Sequence, residues 1–345
     1  MKKWTKFVCL FAAMAILLSA CGPASEPGPA ESKDPNPAAS TPANVPGNRT
    51  QTLFGTGTPG GVYEILGTGM VNILNQHLTD TEMVAVTPAQ IQQLPAMLQS
   101  GEASIGIGMA CMFERAFLGQ EEFAGSPQTD IVQLCGMYDN IMGLVTLEST
   151  GIKTIQDITE STVVASTASN LFVLKELIKA AGTFDPEKIN FRVMSYAQAA
   201  EALGDGNADV IYITAYPYNG TLDSVCSTKP VRFIDIDEAT RNNYNEANPR
   251  NLMQAVPANT YAGQTEEHWA HVVYTVLYAN KNVPDHVIKE TLATLIDNVD
   301  ELALIHPSGA NLTLETTQRY LDDGIMEPER MHPAAVEYFA EKGVK

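Results

Sequence analysis

The sequence predicts an α/β protein built as two similar lobes joined by two hinge crossovers, and three observations predict it. Short apolar runs alternate with helix-period segments over residues 52–214, the pattern of βαβ units and a mostly parallel sheet. A motif recurs: Leu98-Gln-Ser-Gly101-Glu-Ala103-Ser104-Ile105 and Leu203-Gly-Asp-Gly206-Asn-Ala208-Asp209-Val210 both read helix end, Gly-x-Ala-small polar, then apolar strand. The two copies are 105 residues apart, and two strand-to-helix loops, at Thr56 and Ser166, are 110 residues apart. Finally, a strong strand at Val272–Ala279 is followed by helices, which suggests a return to the first lobe.

The elements follow in order. Leu53 and Phe54 form a short strand entering Gly55-Thr-Gly-Thr-Pro-Gly-Gly61. Apolar residues at 62, 65, 66, 70, 73 and 74 then give one buried helix face. A strand near 83–87, a helix ending at Gly101, the strand Ile105–Met109 and a short helix carrying Met112, Phe113, Ala116 and Phe117 come next. Separate strands are predicted at 131–137 and 141–147. After Gly151 the scheme restarts: strand 162–165, a helix with Leu171, Leu174, Leu177, Ile178 and Ala181 on one face and Gly182 as C-cap, strand 189–194, helix 197–203 and strand Val210–Thr214. One long helix is predicted from Pro284 through 302, stopped by Pro307, and a last helix from Pro333 to before Gly343. The first lobe is therefore expected at 51–143 plus 272–345 and the second at 144–271.

The N-terminus reads as a targeting segment. Lys2, Lys3 and Lys6 precede an apolar run from Phe7 to Ala20, too short for the ~20 residues of a bilayer span. Leu18-Ser19-Ala20-Cys21 resembles the bacterial lipobox, so residues 1–20 are expected to be a lipoprotein signal peptide and Cys21 the lipidated N-terminus of an extracytoplasmic protein. Residues 21–50 are rich in proline, Ala, Ser and Gly and cannot bury surface, which predicts a disordered tether. Membrane contact is expected through the lipid alone. The three remaining cysteines, Cys111, Cys135 and Cys226, sit in or beside apolar stretches and read as small buried hydrophobes.

Twenty-one basic residues against forty acidic ones give a formal charge of −19, a poor match for phosphate backbones or anionic headgroups. No nucleic-acid partner is expected. Searches for G-x-S-x-G, S-x-x-K, H-E-x-x-H and P-loop patterns fail, so no catalytic residue is assigned. His268 and His271, three apart, would meet on a helix, but nothing completes a metal site and they read as solvent-facing. An acid/base role for Asp157, Asp205 or Asp209 would need an accident of folding. No metal or cofactor is expected.

Gly55-Thr-Gly57-Thr-Pro-Gly60 formally matches G-x-G-x-x-G, with Asp80 and Glu82 where a dinucleotide site would want an acid. Export argues against a nicotinamide cofactor. The same glycines suit any anion held at a helix N-terminus, where N–H groups are unpaired. Ser166, Thr167, Ser169 and Asn170 offer donors at the matching place in the second lobe, although both loops could simply be capped turns. If the lobes face each other, two helix starts converge on one cleft. Tyr63, Tyr138, Tyr216 and Tyr218 stand at element ends, where cleft walls belong. Arg115 and Arg192 are either bidentate carboxylate partners or solvated charges.

These residues bring the chain close to a known pattern. Phe54-Gly-Thr-Gly-Thr-Pro-Gly-Gly-Val-Tyr-Glu-Ile-Leu-Gly67, Gly101-Glu-Ala-Ser-Ile-Gly-Ile107, Ser149-Thr-Gly-Ile-Lys-Thr-Ile-Gln-Asp-Ile158, Val256-Pro-Ala-Asn-Thr-Tyr-Ala-Gly-Gln264 and Met331-His332-Pro-Ala-Ala335 with Tyr338 follow one another as the motifs of one family do. The chain resembles the TAXI family of solute receptors for TRAP (tripartite ATP-independent periplasmic) transporters. The resemblance implies a two-lobed periplasmic-binding-protein fold of type II and hinge closure over a small organic anion, often a dicarboxylate or acidic amino acid. It also implies delivery to a TRAP-type membrane permease. Carried over residue by residue, Thr58, Gly60, Gly61, Val62 and Tyr63 would line the first-lobe cleft, Tyr138 would stand near the crossover and Tyr216 at the second-lobe wall. Two departures face the expected ligand: Ser166-Thr-Ala-Ser-Asn170 replaces a Gly-rich loop, and Gly108-Met109-Ala110-Cys111 replaces a polar triplet. Both favour a less polar ligand. A sensor of the same fold, signalling through a membrane partner, is the alternative.

Overall fold

Alternating burial sets the first strand: Thr52 and Phe54 of β1 (Thr50–Gly55) are buried, whereas Gln51 and Leu53 between and before them are only half-buried. The computed structural model describes residues 49–57, 61–216, 219–248 and 253–345, with Ser169 and Tyr216 described in backbone only. The expected signal peptide, Cys21 and all but the last two residues of the expected tether lie outside the described residues.

The internal repeat is real in three dimensions. The first copy runs β1, α1 (Val62–His77), β2 (Thr81–Val86), α2 (Leu94–Ser100) and β3 (Ile105–Met109), with β1 parallel to both β2 and β3. After α3 (Ala110–Leu118) and the long strand β4 (Ile131–Leu147), the second copy runs β5 (Val163–Ser166), α4 (Leu171–Ala181), β6 (Asn190–Val193), α5 (Tyr196–Gly204) and β7 (Val210–Tyr216). In it β5 lies parallel to both β6 and β7. The recurring motif makes the same bonds twice. Ala103 N–H donates to Met97 O at 3.0 Å and Ala208 N–H to Ala202 O at 3.0 Å. Ser104 N–H donates to Leu53 O at 2.7 Å, and Asp209 N–H to Val163 O at 2.9 Å. The shared glycine is required by conformation, because Gly101 (φ +82°) and Gly206 (φ +74°) both lie in the left-handed region with no neighbour crowding them.

Two long strands bind the copies into one sheet. Strand β4 pairs antiparallel with β10 (His268–Asn280) from Met142↔His271 to Ile131↔Asn280. β10 also borders β3, whereas the far half of β4 borders β7. Among the described residues the sheet order is β2-β1-β3-β10-β4-β7-β5-β6. Strand β8 (Val231–Ile234) is added on β4, and β9 (Met253–Val256) on β10. The two strands expected at 131–137 and 141–147 are therefore one. Register shifts explain the apparent break: Thr275 faces Tyr138 but Val276 faces Gly136, leaving Met137 as an extra residue.

The helices depart from expectation in two ways. The long helix expected from Pro284 is two, α8 (Asp285–Asp297) and α9 (Val299–Ile305). The Asn298 side chain donates back to Thr294 O at 2.7 Å and its carbonyl starts the next helix, so the chain breaks there. Helices α6 (Gly220–Thr228), α7 (Glu238–Ala247) and α10 (Leu314–Asp322) were not foreseen, and α7 is too polar to show an apolar face. The last helix, α11 (Pro333–Glu341), stands where expected and packs on α8, which packs on α1.

His268 and His271 lie on a strand, not a helix, and both are buried. The sequence missed this because β10 starts four residues before its aliphatic run. His271 bridges two phenols of the second copy, with Tyr212 Oη 3.0 Å from Nδ1 and Tyr244 Oη 2.6 Å from Nε2. Burial pushes His271 down to about 3 and His268 down to about 4.

Two tests follow from this architecture. Gly206→Ala should lower the unfolding free energy by ~1–2 kcal/mol through left-handed strain. Gly204→Ala, in helical backbone two residues earlier and with only Lys229 near, should be neutral or stabilising by up to ~1 kcal/mol. Denaturant titration of both variants checks the contrast, and equal effects would contradict it. The histidines set a second expectation. Their folded values lie below the ~6.5 of the unfolded chain, so their stabilisation is complete above that pH. It is lost as pH falls, at up to ~1.4 kcal/mol per unit for each group. Between pH 6.5 and 5 the His271→Gln variant should show a clearly shallower loss of stability than the parent; identical slopes would contradict the assignment.

Candidate functional site

Parallel strands leave a crevice beyond their carboxyl ends, where loops and helix starts meet. Both copies contribute to one such cleft, of about 340 Å³. From the first copy come Gly61, Val62 and Tyr63 at the start of α1, Ala89–Gln92 after β2, and Met109 at the end of β3. From the second come Thr167, Ala168 and Asn170 before α4, Val193–Tyr196 after β6, and Thr214 near the end of β7. Tyr138 and Asn140 of β4 form the floor between them. The copies contribute at matched positions: Met109 and Thr214 stand at the repeat offset of 105.

Backbone irregularities aim the floor residues. Tyr138 follows the Met137 bulge, and Thr214 precedes a second one, where Met142 faces Thr214 and Ile141 faces Tyr216. The ring of Tyr138 meets that of Tyr63 edge-on at 6.3 Å. Thr275 Oγ1 lies 3.1 Å from Tyr63 Oη and bonds it, while Tyr138 Oη, on a residue 2% exposed, makes no hydrogen bond of full geometry, although the same Thr275 hydroxyl acts on it. Burial holds both phenols well above the usual range, so they remain protonated. Alternation turns Asp139 to the opposite side of the strand, where Arg319 (2.9 Å), Tyr320 Oη (2.8 Å) and Gln254 (2.8 Å) hold it.

The second-copy wall is braced from behind. Ser166, fully buried, donates to Tyr212 O; it lies beneath the cleft surface instead of lining it. Asn170 Nδ2 donates to Ser166 Oγ at 2.9 Å and to Tyr196 Oη at 3.0 Å, so its two amide hydrogens are committed to the wall. Tyr196 Oη and Thr214 Oγ1 both approach Met142 Sδ, at 3.9 and 3.6 Å.

Electrostatically the cleft is neutral. Among the described residues no Asp, Glu, Lys, Arg or His lines it. Helices α1, α3 and α4 all begin at its rim, and none has a side-chain cap. Helices α2, α8 and α9 also lack one, whereas α5, α6, α7, α10 and α11 are each capped by a Ser, Asn, Asp, Thr or His side chain. Uncapped starts present positive partial charge.

The structure brings Gly61, Val62, Tyr63, Met109, Tyr138 and Asn170 together around this cleft. Thr58, Gly60 and Tyr218 lie outside the described residues, as do the side chains of Ser169 and Tyr216. Neither candidate arginine reaches the cleft. Arg115 pairs with Glu122 at 2.7 Å, donates to Cys111 O and lies 4.0 Å over the Phe172 ring. Arg192 donates to Asn207 O on the exposed side. Arg115 instead borders a larger cavity of about 430 Å³, shared with Phe113, Phe172, Tyr278 and Arg330. There Arg330 is likewise engaged, by Glu114 and Glu327. Gln90, Gln92, Asn140, Ser195, Tyr196 and Thr214 were missed, although the repeat offset alone points from Met109 to Thr214. Gly55 and Gly57 are explained by packing: a side chain would strike Leu94 at 2.3 Å or Tyr63 at 2.4 Å. Cys111, Cys135 and Cys226 are free thiols. Among the described residues no cluster of metal-binding side chains occurs, and no helix is long and apolar enough to cross a membrane.

A two-copy sheet with a crevice at the strand ends defines a type II periplasmic-binding-protein fold, and solved structures agree. MatC from Rhodopseudomonas palustris, with bound malate, is similar at a TM-score of 0.51 and 14% identity, covering 85% of this chain and 96% of that one. A protein of Xanthomonas citri bound to ATP is similar at 0.51 and 11%, covering 84% and 98%. The periplasmic aliphatic sulphonate binding protein SsuA from Escherichia coli gives 0.46 and 17%, covering 84% and 78%. No curated protein is significantly similar in sequence. The chain belongs to the NMT1-like family, whose model matches residues 54–343.

The cleft geometry makes one variant diagnostic. Tyr138→Phe removes a buried, unpartnered hydroxyl and leaves the ring contact with Tyr63 intact, so the ligand-free protein should be as stable as the parent or up to ~1 kcal/mol more stable. Thermal unfolding of ligand-stripped protein checks this, and a loss of more than ~1 kcal/mol would show that the hydroxyl is bonded within the protein.

Proposed function

We propose that the chain is an extracytoplasmic, lipid-anchored solute receptor of the TAXI type. It captures a small organic anion between its two copies and presents it to a TRAP-type permease. The observation that carries the reading is the single neutral cleft, lined from both copies at matched positions and floored by β4. The lobes are residues 51–143 with 272–345, and 144–271. β4 and β10 are the two connections that flex as the lobes close over solute. The uncapped starts of α1, α3 and α4 favour negative charge on the ligand. The motif resemblance alone suggests a dicarboxylate or an acidic amino acid as the ligand.

Membership of the NMT1-like family and the fold support solute binding without chemistry. The five motif blocks between Phe54 and Tyr338 support the TAXI assignment and hence a TRAP partner. The lipobox-like residues ending at Cys21 support a lipid tether and an extracytoplasmic location.

Native mass spectrometry of protein extracted from the membrane fraction tests the reading. The expected mass begins at Cys21, carries a diacylglycerol and includes a retained small acid. After stripping, that acid at a hundred times its Kd should stabilise the fold by ~2.7 kcal/mol. A protein that binds no small solute at this cleft would contradict the proposal.

A further inference from the structure

The cleft walls are chemically lopsided. A buried phenol hydroxyl stands at one end, beside the start of α1, and among the described residues no formally charged side chain lines the cleft. Tyr63 lies in the first turn of α1, and the unpartnered Tyr138 hydroxyl stands on the ring packed against it. That hydroxyl is the second, independent sign of a ligand there: the residue is 98% buried, lines the cleft and makes no hydrogen bond of full geometry, the one side-chain hydroxyl that acts on it, Thr275, being already bonded to Tyr63. Away from it the walls combine the apolar Ile91, Met109, Val193 and Met194 with the neutral polar Gln90 and Ser195.

Charge accounting narrows the ligand. One carboxylate can be held by helix starts and a phenol without a cationic side chain. A second carboxylate would be buried against amides and methionines with no arginine or lysine among the described lining residues, at a large desolvation cost. An ammonium group fares no better, since no carboxylate lines the cleft among the described residues. Size narrows it further: about 340 Å³, at roughly 30 Å³ per water-sized group, holds on the order of ten non-hydrogen atoms.

Resting on the receptor reading above, we propose that the ligand is a monocarboxylate with an apolar branched or aromatic body, and that Tyr138 is the residue that selects its carboxylate end. Dicarboxylates and acidic amino acids are rejected because their second charged group finds no partner. Tyr138 donates to one carboxylate oxygen, and the methionine-rich wall adapts to the body.

The test is isothermal titration of full-length, ligand-stripped protein with 4-methylpentanoate, phenylacetate, glutarate and L-glutamate. The expected result is a Kd for one or both monocarboxylates at least tenfold below those of glutarate and L-glutamate. Tyr138→Phe should weaken that monocarboxylate by about tenfold or more while leaving the protein folded. Tighter binding of glutarate or L-glutamate would overturn this inference and leave the receptor reading standing. An unchanged monocarboxylate affinity in Tyr138→Phe would overturn the role of the hydroxyl. Failure of all four acids to bind would overturn this inference, whereas the receptor reading falls only if native mass spectrometry also finds no retained small solute.

Discussion

The antiparallel pairing of β4 with β10 is the constraint on which the rest depends. Each repeated copy is a three-stranded parallel sheet, too small to cover its own faces and without a partner on one edge. The two long strands supply that edge to both copies at once. They are almost wholly buried, with Thr275, His271 and Thr146 the polar exceptions that are fully enclosed. Because both run from one copy into the other, the carboxyl ends of two separate sheets are brought to one place. The cleft exists because of this geometry, and Tyr138 and Asn140 lie on its floor because they occupy the middle of the ribbon.

The ribbon also explains how a rigid element aims side chains so specifically. A regular strand would send successive residues to alternate faces. The extra residue Met137 breaks the count, so Met137 and Tyr138 are both buried, and Asp139 is returned to the opposite side among Arg319, Tyr320 and Gln254. A carboxylate one position away from the cleft floor is thereby kept out of it. The neutral lining is a consequence of strand register as much as of composition, and in a chain of charge −19 it is the arrangement that lets an anion approach.

Much of this was legible in the sequence. The Gly-x-Ala motif is readable because only glycine tolerates the left-handed turn at 101 and 206, and its recurrence marks the two copies. Helices α1 and α4 show their buried faces by spacing. What could not be read has physical causes. The bulges in β4 place Asp139 and Asn140 mid-strand, where they look like a loop. Helix α7 holds Tyr244 and Thr240 inward on an otherwise polar surface, leaving no stripe to detect. His268 and His271 precede the aliphatic run of β10 and so seemed exposed, whereas His271 is enclosed by Tyr212 and Tyr244. Half the cleft lies in loops after β2 and β6 that carry no motif. Gln90 and Tyr196 become neighbours of Tyr63 and Asn170 only through the sheet order.

The most direct check of the account is a crystal structure of the protein purified with its retained solute. Electron density for a small molecule between Tyr138 and the Thr167–Asn170 loop, with an acceptor atom within hydrogen-bonding distance of Tyr138 Oη, is the predicted result. Solute seated instead in the larger cavity beside Arg115 and Arg330, with the cleft over Tyr138 holding only water, would contradict it.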